Sequence, residues 1–268
     1  MTAAPLTGRQ RIALAVEYDG SGFLGWQRLS HGPTVEGVLE AAVARVANEA
    51  VDIQGCGRTD AGVHAINQIV HFDTTAVRPM RGWILGCNSN LPSSVVVTWA
   101  GIVPPEFHAR FWARRRRYRY IILNRAVRPA LGAGYLTWER RPLDAGRMHE
   151  AAQALIGEHD FSAFRAAACQ ARHARRRMHE VGVRREGDRV VVEVEANAFL
   201  HHMVRNIVGA LLPIGRGDRD PGWVAELLAG RTRIREVVTA PPDGLTFLGP
   251  RYPRGLGLPG WLECDDPL

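Results

Sequence analysis

The sequence predicts an α+β fold of two sheet-and-helix halves, and three observations point there. Segments with an apolar residue at every second position, the period of a half-buried strand, alternate with segments whose apolar residues recur every three or four. Clusters of Gly, Pro, Asn and Asp separate them. Pro104-Pro105 falls at a change of segment, in a chain of 268 residues whose length suits one large or two modest domains, giving halves 1–104 and 105–268.

Ile12, Leu14, Val16 and Tyr18 share one face of a first strand, which the turn Asp19-Gly20-Ser21-Gly22 ends. Thr34 is placed to cap a helix running to Asn48, because Val35, Val38, Leu39, Ala42, Val43 and Val46 recur at helical spacing. Strands are predicted at 66–72 and 95–102, with a helix near 80–86 between them. In the second half a strand at 118–123 precedes a helix near 144–156. Segments 178–184 and 190–196 read as a hairpin turning at Glu186-Gly187-Asp188, and helices follow at about 199–212 and 221–228. Both halves share a strand, helix, strand rhythm without a residue-level repeat.

With 46% hydrophobic and 23% charged residues, the chain has the make-up of an ordinary globular protein. Its charge is less ordinary. The 34 basic residues, set against 27 acidic ones for a net +7, are all arginine. The absence of lysine excludes a Schiff-base lysine, a Walker-type P-loop and a kinase-type ATP lysine. What is left is planar guanidinium, suited to bidentate phosphate contacts and to stacking on bases. A coding sequence rich in G and C would by itself exchange lysine for arginine throughout.

Cys56, Cys87, Cys169 and Cys264 lie far apart and form no C-x-x-C pair, so neither a zinc ribbon nor a disulfide scaffold is expected. Residues 1–11 hold no apolar stretch of signal-peptide length, and the most apolar later run, 207–214, is too short to span a membrane. A cytoplasmic protein is expected.

The arginines cluster. Between Arg110 and Arg128 there are eight with no acid, interleaved with Phe111, Trp112, Tyr118 and Tyr120, and Arg165–Arg189 holds eight more against Glu180, Glu186 and Asp188. Cations so concentrated neutralise phosphates, and neighbouring rings stack on exposed bases, so the pattern favours a nucleic-acid partner over a merely solvated basic face.

The densest chemical signal is the segment from Gly55 to Ala65, Gly-Cys-Gly-Arg-Thr-Asp-Ala-Gly-Val-His-Ala. Its three glycines within eight residues allow a tight turn and a close approach to another molecule. Arg58 and Asp60 stand two apart, on one face if the backbone is extended, where the guanidinium would keep the carboxylate ionised. Asp60 is therefore a candidate nucleophile, and the plainer alternative is an Asp that caps a turn.

The run Gly57–Ala65 resembles the signature of the tRNA pseudouridine synthase A family. The likeness continues in the family's order through Glu17-Tyr18-Asp19-Gly20, Gly25-Trp26-Gln27-Arg28, Asn90-Leu91-Pro92, Phe107-His108-Ala109-Arg110 and Arg117-Tyr118-Arg119-Tyr120. It goes on through His159-Asp160-Phe161, the segment Asn197–Asn206 and Gly244-Leu245, and covers about residues 11 to 253. The resemblance implies the pseudouridine synthase fold, with RNP-like halves forming a mainly antiparallel central sheet with flanking helices. It implies an isomerase that converts uridine to pseudouridine at positions 38 to 40 of the tRNA anticodon stem-loop, without metal or cofactor, as a homodimer.

By the same resemblance Asp60 is the catalytic carboxylate, with three routes open to it: attack at ribose C1′, addition to the uracil ring, or abstraction of a ribose proton. Tyr118 stacks on the target base, Arg205 pairs with Asp60, Leu245 packs on the uracil and Arg58 holds the place of the flipped base. Tyr120, on the same face as Tyr118, reads as core. His201 and His202, adjacent in an expected helix, would point in different directions, and no metal site is expected there. Two stretches depart from the family pattern. Cys169–Met178 lacks a threonine and proline before its basic residues, and Gly249-Pro250 is expected to break the last strand. The rival readings are a catalytically silent RNA-binding protein using the same arginines and a hydrolase that releases uracil.

Overall fold

The computed structural model describes residues 8–266. The first seven residues of the segment read as lacking a signal peptide lie outside them. The chain forms two compact units: one comprises the described residues up to Arg114 together with the C-terminal segment from Phe247, and the other is Arg115–Thr246.

The first unit contains β1 (Gln10–Tyr18), α1 (Val35–Ala47), β2 (Gln54–Gly55), β3 (His64–Thr74), α2 (Met80–Asn88) and β4 (Val95–Val103). The second contains β5 (Arg115–Asn124), β6 (Thr137–Glu139), α3 (Ala145–Ala152), β7 (Gly157–Asp160), β8 (Arg175–Glu186), β9 (Arg189–Ala196), α4 (Met203–Gly215) and α5 (Trp223–Gly230). β10 (Leu245–Pro253) and β11 (Glu263–Cys264) complete the chain.

In the first unit β1 runs between β3 and β4, antiparallel to both, with Ile12 opposite Phe72 on one side and Ile102 on the other. Ile12 to Val16 are all fully buried, so β1 is covered on both faces, the alanines filling the tighter one. α1 begins as its sequence requires: the Thr34 hydroxyl accepts from Gly37 N at 3.3 Å, and Asn48 closes the helix in the left-handed conformation. Residues 104–114 pack with this unit rather than opening the next, because Phe107 and Ala109 are fully buried and their carbonyls accept from Arg11 and from the Tyr252 hydroxyl. The contact boundary thus falls ten residues beyond Pro104.

The second unit is built on β9, which lies antiparallel between β5 and β8. β7 extends the sheet antiparallel to β8, and β6 adds to β5 in parallel. α3 packs on α4 and β8. The hairpin turns at Gly187 with φ +57°. The fold is α+β, as the periodicities predict, and mainly antiparallel, as the resemblance implies.

Two local expectations are corrected. α4 starts at Met203, not near 199, because His202 takes a left-handed φ of 60° and stops the helix from extending backwards. His201 and His202 therefore precede the helix, and their rings lie side by side, centroids 4.0 Å apart and planes inclined by 40°, instead of diverging. Gly249-Pro250 does not break β10. Gly249 adopts φ +125° with its bare Cα against β3, where a Cβ would come within 3.0 Å of the Asn67 carbonyl, and the strand continues to Pro253. Among the described residues no helix is long and apolar enough to cross a membrane, and no disulfide links the four cysteines.

Candidate active site

The glycine-rich segment is an irregular connection from β2 to β3, clamped from two sides. From β3, Ile69 O accepts from Cys56 N at 2.8 Å, and the fully buried Gln68 amide donates to Gly57 O at 2.6 Å. From the end of β1 and the chain that follows it, the buried Tyr18 hydroxyl pairs with Thr59 Oγ1 at 2.8 Å and Trp26 N donates to Thr59 O at 3.0 Å. Val63 N closes a turn onto Asp60 O at 3.1 Å, with Gly62 at φ +79°.

Two glycines make this approach possible. Gly25 has φ +101°, and a Cβ on it would lie 2.8 Å from Thr59 O and 3.2 Å from Ala61 N. On Gly20 a Cβ would lie 2.0 Å from Val63 O. Gly20 N also donates to Nδ1 of the buried His64 at 3.1 Å. The clamp is anchored in turn by α1. Glu36, in its first turn, accepts from Trp26 Nε1 at 3.2 Å and from Arg28 N at 2.8 Å. Trp26 is buried against Gly55, where a Cβ would strike the indole.

Asp60 is thus a half-buried carboxylate on a backbone fixed at the residues before and after it, while Arg58 is exposed. Burial pushes the Tyr18 hydroxyl well above its ordinary pKa, against the opposing effect of its bond to Thr59, so it stays protonated in the clamp.

Tyr118, Arg205 and Leu245 all belong to the second unit. Tyr118 is half-buried on β5 opposite Val194, with the Phe199 ring edge-on at a centroid distance of 5.0 Å. Arg205 sits in the first turn of α4, half-buried, and its Nε donates to Ala240 O at 2.7 Å. Leu245, 4% exposed, opens β10, and its N donates to Pro242 O at 2.8 Å. Tyr120 is core, as its position suggests: it is fully buried and its hydroxyl is bonded to Thr137 Oγ1 and Pro241 O.

The arginine clusters divide into two populations. On β5, Arg115 and Arg117 reach Glu195 at 2.8 and 3.5 Å, and Arg119 reaches Glu193 at 2.6 Å. Glu193 also takes Arg184 at 3.1 Å. Arg165 and Arg176 turn inward to backbone carbonyls of the 169–175 loop. Arg110, Arg125, Arg128, Arg172, Arg175 and Arg177 are exposed. The carboxylates that occupy the first group stand on β9, the neighbouring strand, at register positions a linear reading does not pair.

Tyr18, Gly20, Gly25 and Gln68 are the supporting residues that sequence reasoning left without a role. The first three lie in segments already conspicuous for their resemblance, and the signal for Gly25 is a glycine that must take positive φ beside a buried tryptophan.

A glycine-bounded carboxylate loop on such a sheet defines a class once compared with known proteins. The family model for tRNA pseudouridine synthase matches residues 14–112 and 151–253. The protein is therefore of the pseudouridine synthase class, an isomerase acting on tRNA. Curated tRNA pseudouridine synthase A proteins are similar over nearly the whole length. That of Xylella fastidiosa (strain M23) is 57% identical over 250 residues, covering 93% of this chain and 97% of its own. That of Xanthomonas euvesicatoria pv. vesicatoria (strain 85-10) is 57% identical over 251 residues, covering 93% and 98%. The chain belongs to the tRNA pseudouridine synthase A family. Among solved structures, an H/ACA RNP bound to a substrate RNA containing 2'-deoxyuridine and a Cbf5-Nop10-Gar1 complex align over 75% of this chain and 44% and 45% of theirs. Both have a TM-score of 0.35 and 13% identity, a likeness too loose to add to the assignment.

Proposed function

We propose that the enzyme isomerises uridine at positions 38 to 40 of the tRNA anticodon stem-loop, with Asp60 as the nucleophile. The observation that carries this reading is the Asp60 loop itself, a half-buried carboxylate held from both sides where Gly20 and Gly25 admit no side chain. Electrostatic and covalent catalysis both require a group whose position is fixed before the substrate arrives. In the reaction the N1–C1′ bond breaks, the uracil turns within the pocket, and a C5–C1′ bond forms as the C5 proton leaves and N1 gains one. Atoms balance without a cofactor or redox partner.

In this reading Tyr118 supports the target base, with Phe199 holding its ring. Arg205 is the cationic partner of Asp60, Leu245 packs on the uracil, and Arg58, exposed on the loop, takes the place of the flipped nucleotide. The exposed arginines bring the polyanion in. The active species is a homodimer in the cytoplasm.

Asp60→Asn and Asp60→Ala test the assignment. Carbodiimide-based primer extension on tRNA is expected to show no pseudouridine at 38 to 40, with tRNA affinity within a few-fold of the parent. Modification that survives either substitution overturns Asp60 as nucleophile, and stops outside 38 to 40 with the parent enzyme overturn the substrate position. Sedimentation of a monomer at assay concentration overturns the dimer.

A further inference from the structure

Residues 237–244 form a strap that leads from α5 to Leu245, and almost every one of them is held by a specific contact. On the α4 side, Ala240 is bonded in both directions to Arg205: Ala240 N donates to Arg205 O at 3.1 Å, and Arg205 Nε donates to Ala240 O at 2.7 Å. One residue earlier, the Thr239 hydroxyl donates to Asn206 Oδ1 at 2.8 Å. The Asn206 amide group donates in turn to Phe164 O at 2.7 Å, and Asn206 is fully buried. Arg233 grips the same stretch, donating to Val237 O and Thr239 Oγ1. Gly209, one turn further along α4, admits the strap so closely that a Cβ would lie 1.9 Å from Val238 O.

On the β5 side the Tyr120 hydroxyl donates to Pro241 O at 2.8 Å while sharing a 2.6 Å bond with Thr137 Oγ1. Ile121 N donates to Gly244 O at 2.9 Å, and a Cβ on Gly244 would lie 2.7 Å from Ile121 O. Burial keeps the Tyr120 hydroxyl protonated, with the nearby Arg205 charge opposing and Asp243 adding to that effect. Its proton is therefore always available to the strap carbonyl.

We propose that Tyr120 and Asn206 are positioning residues for the isomerisation, a two-point clasp on the 237–244 strap that fixes Arg205 and Leu245 relative to β5, the strand that carries Tyr118. The inference rests on the reading of Arg205 and Leu245 as site residues. Neither clasp residue touches substrate in it. Tyr120 holds Pro241, four residues before Leu245, and Asn206 holds Thr239, next to the carbonyl on which Arg205 Nε rests. Buried polar groups that are all satisfied hold one geometry, and small displacements of groups that must meet a reacting centre cost rate out of proportion to stability.

The test uses the full-length enzyme and tRNA under steady-state conditions. Tyr120→Phe keeps the ring and removes only the hydroxyl, and Thr239→Val removes the hydroxyl that Asn206 accepts. Both are expected to lower kcat about ten-fold with KM for tRNA within two-fold of the parent. Thr239→Ser is expected to recover most of the rate lost in Thr239→Val. A merely structural role predicts lower melting temperature with parental kcat per folded enzyme, and that result in both variants overturns the inference. Arg205→Met and Leu245→Ala serve as reference. If they lose activity while the clasp variants keep it, the clasp alone fails. If they keep parental kcat, the site reading fails and the clasp falls with it.

Discussion

Gly25→Ala probes the Asp60 clamp directly. Gly25 sits at φ +101°, where an L-residue is strained by about 1–3 kcal/mol. The new methyl would meet Thr59 O at 2.8 Å, with Asp60 C and Ala61 N both at 3.2 Å, all backbone atoms that cannot swing aside like the end of a side chain. Relieving the contact moves the Thr59–Ala61 backbone by roughly half an ångström. It also stretches the Trp26 N to Thr59 O bond, worth about 1 kcal/mol. Together the cost is about 2–4 kcal/mol, a fraction of the stability expected of such a chain, so the variant still folds. The melting temperature should fall by about 5–12 °C.

The larger effect is on rate. A shift of that size in a nucleophile's backbone is expected to lower kcat by about 10- to 100-fold. Release of tritium from tRNA labelled at uridine C5 reads the rate, and differential scanning fluorimetry reads the fold. A variant that keeps parental kcat, whatever its melting temperature, refutes the idea that Gly25 sets the position of Asp60.

Three further outcomes are expected. Tyr18→Phe removes the buried bond to Thr59 and should cost about 1 kcal/mol, or roughly 2–4 °C in melting temperature by scanning calorimetry. Burial chiefly, together with the His108 and Arg11 charges, holds His71 down at about 4 from 6.5, so the folded protein resists a proton that the unfolded chain accepts. Stability from this group should be intact above pH 6.5 and lost as pH falls toward 4, by about 3 kcal/mol in denaturant titrations, and His71→Asn should flatten that dependence. Arg172→Ala should reduce the slope of log binding constant against log salt by about one, whereas Arg119→Ala, whose guanidinium lies on Glu193, should leave it unchanged in filter binding.

What could be read along the chain was whatever depends on near neighbours. The Thr34 cap, the apolar spacing of α1 and the Gly187 hairpin are local decisions, and each stands where the residues place it. The Asp60 loop was legible as chemistry, since few other uses exist for three glycines, an arginine and a carboxylate in so short a run. The misses in the arginine strand, in α4 and in β10 are effects of register or of one unusual torsion. Arg115, Arg117 and Arg119 look like an unopposed basic strand until β9 brings Glu193 and Glu195 alongside. His202 looks helical until its left-handed backbone is known, and Gly249-Pro250 looks like a break until Gly249 is seen to lie flat on Asn67. The strap carries no periodic signal at all, because its bonds run from backbone carbonyls to single polar side chains far away in sequence.

The return of residues 247–266 to the first unit has a consequence for synthesis. β10 is the neighbour of β3, and Tyr252 and Arg251 tie the 109–114 segment down through Ala109 O and Arg114 N. While the ribosome is still translating 115–246, β3 has β1 and the two-residue β2 as partners, and the rest of its second edge waits for β10. At typical elongation rates that interval lasts on the order of ten seconds. A strand edge left largely unpaired invites association with other nascent chains until the last strand emerges.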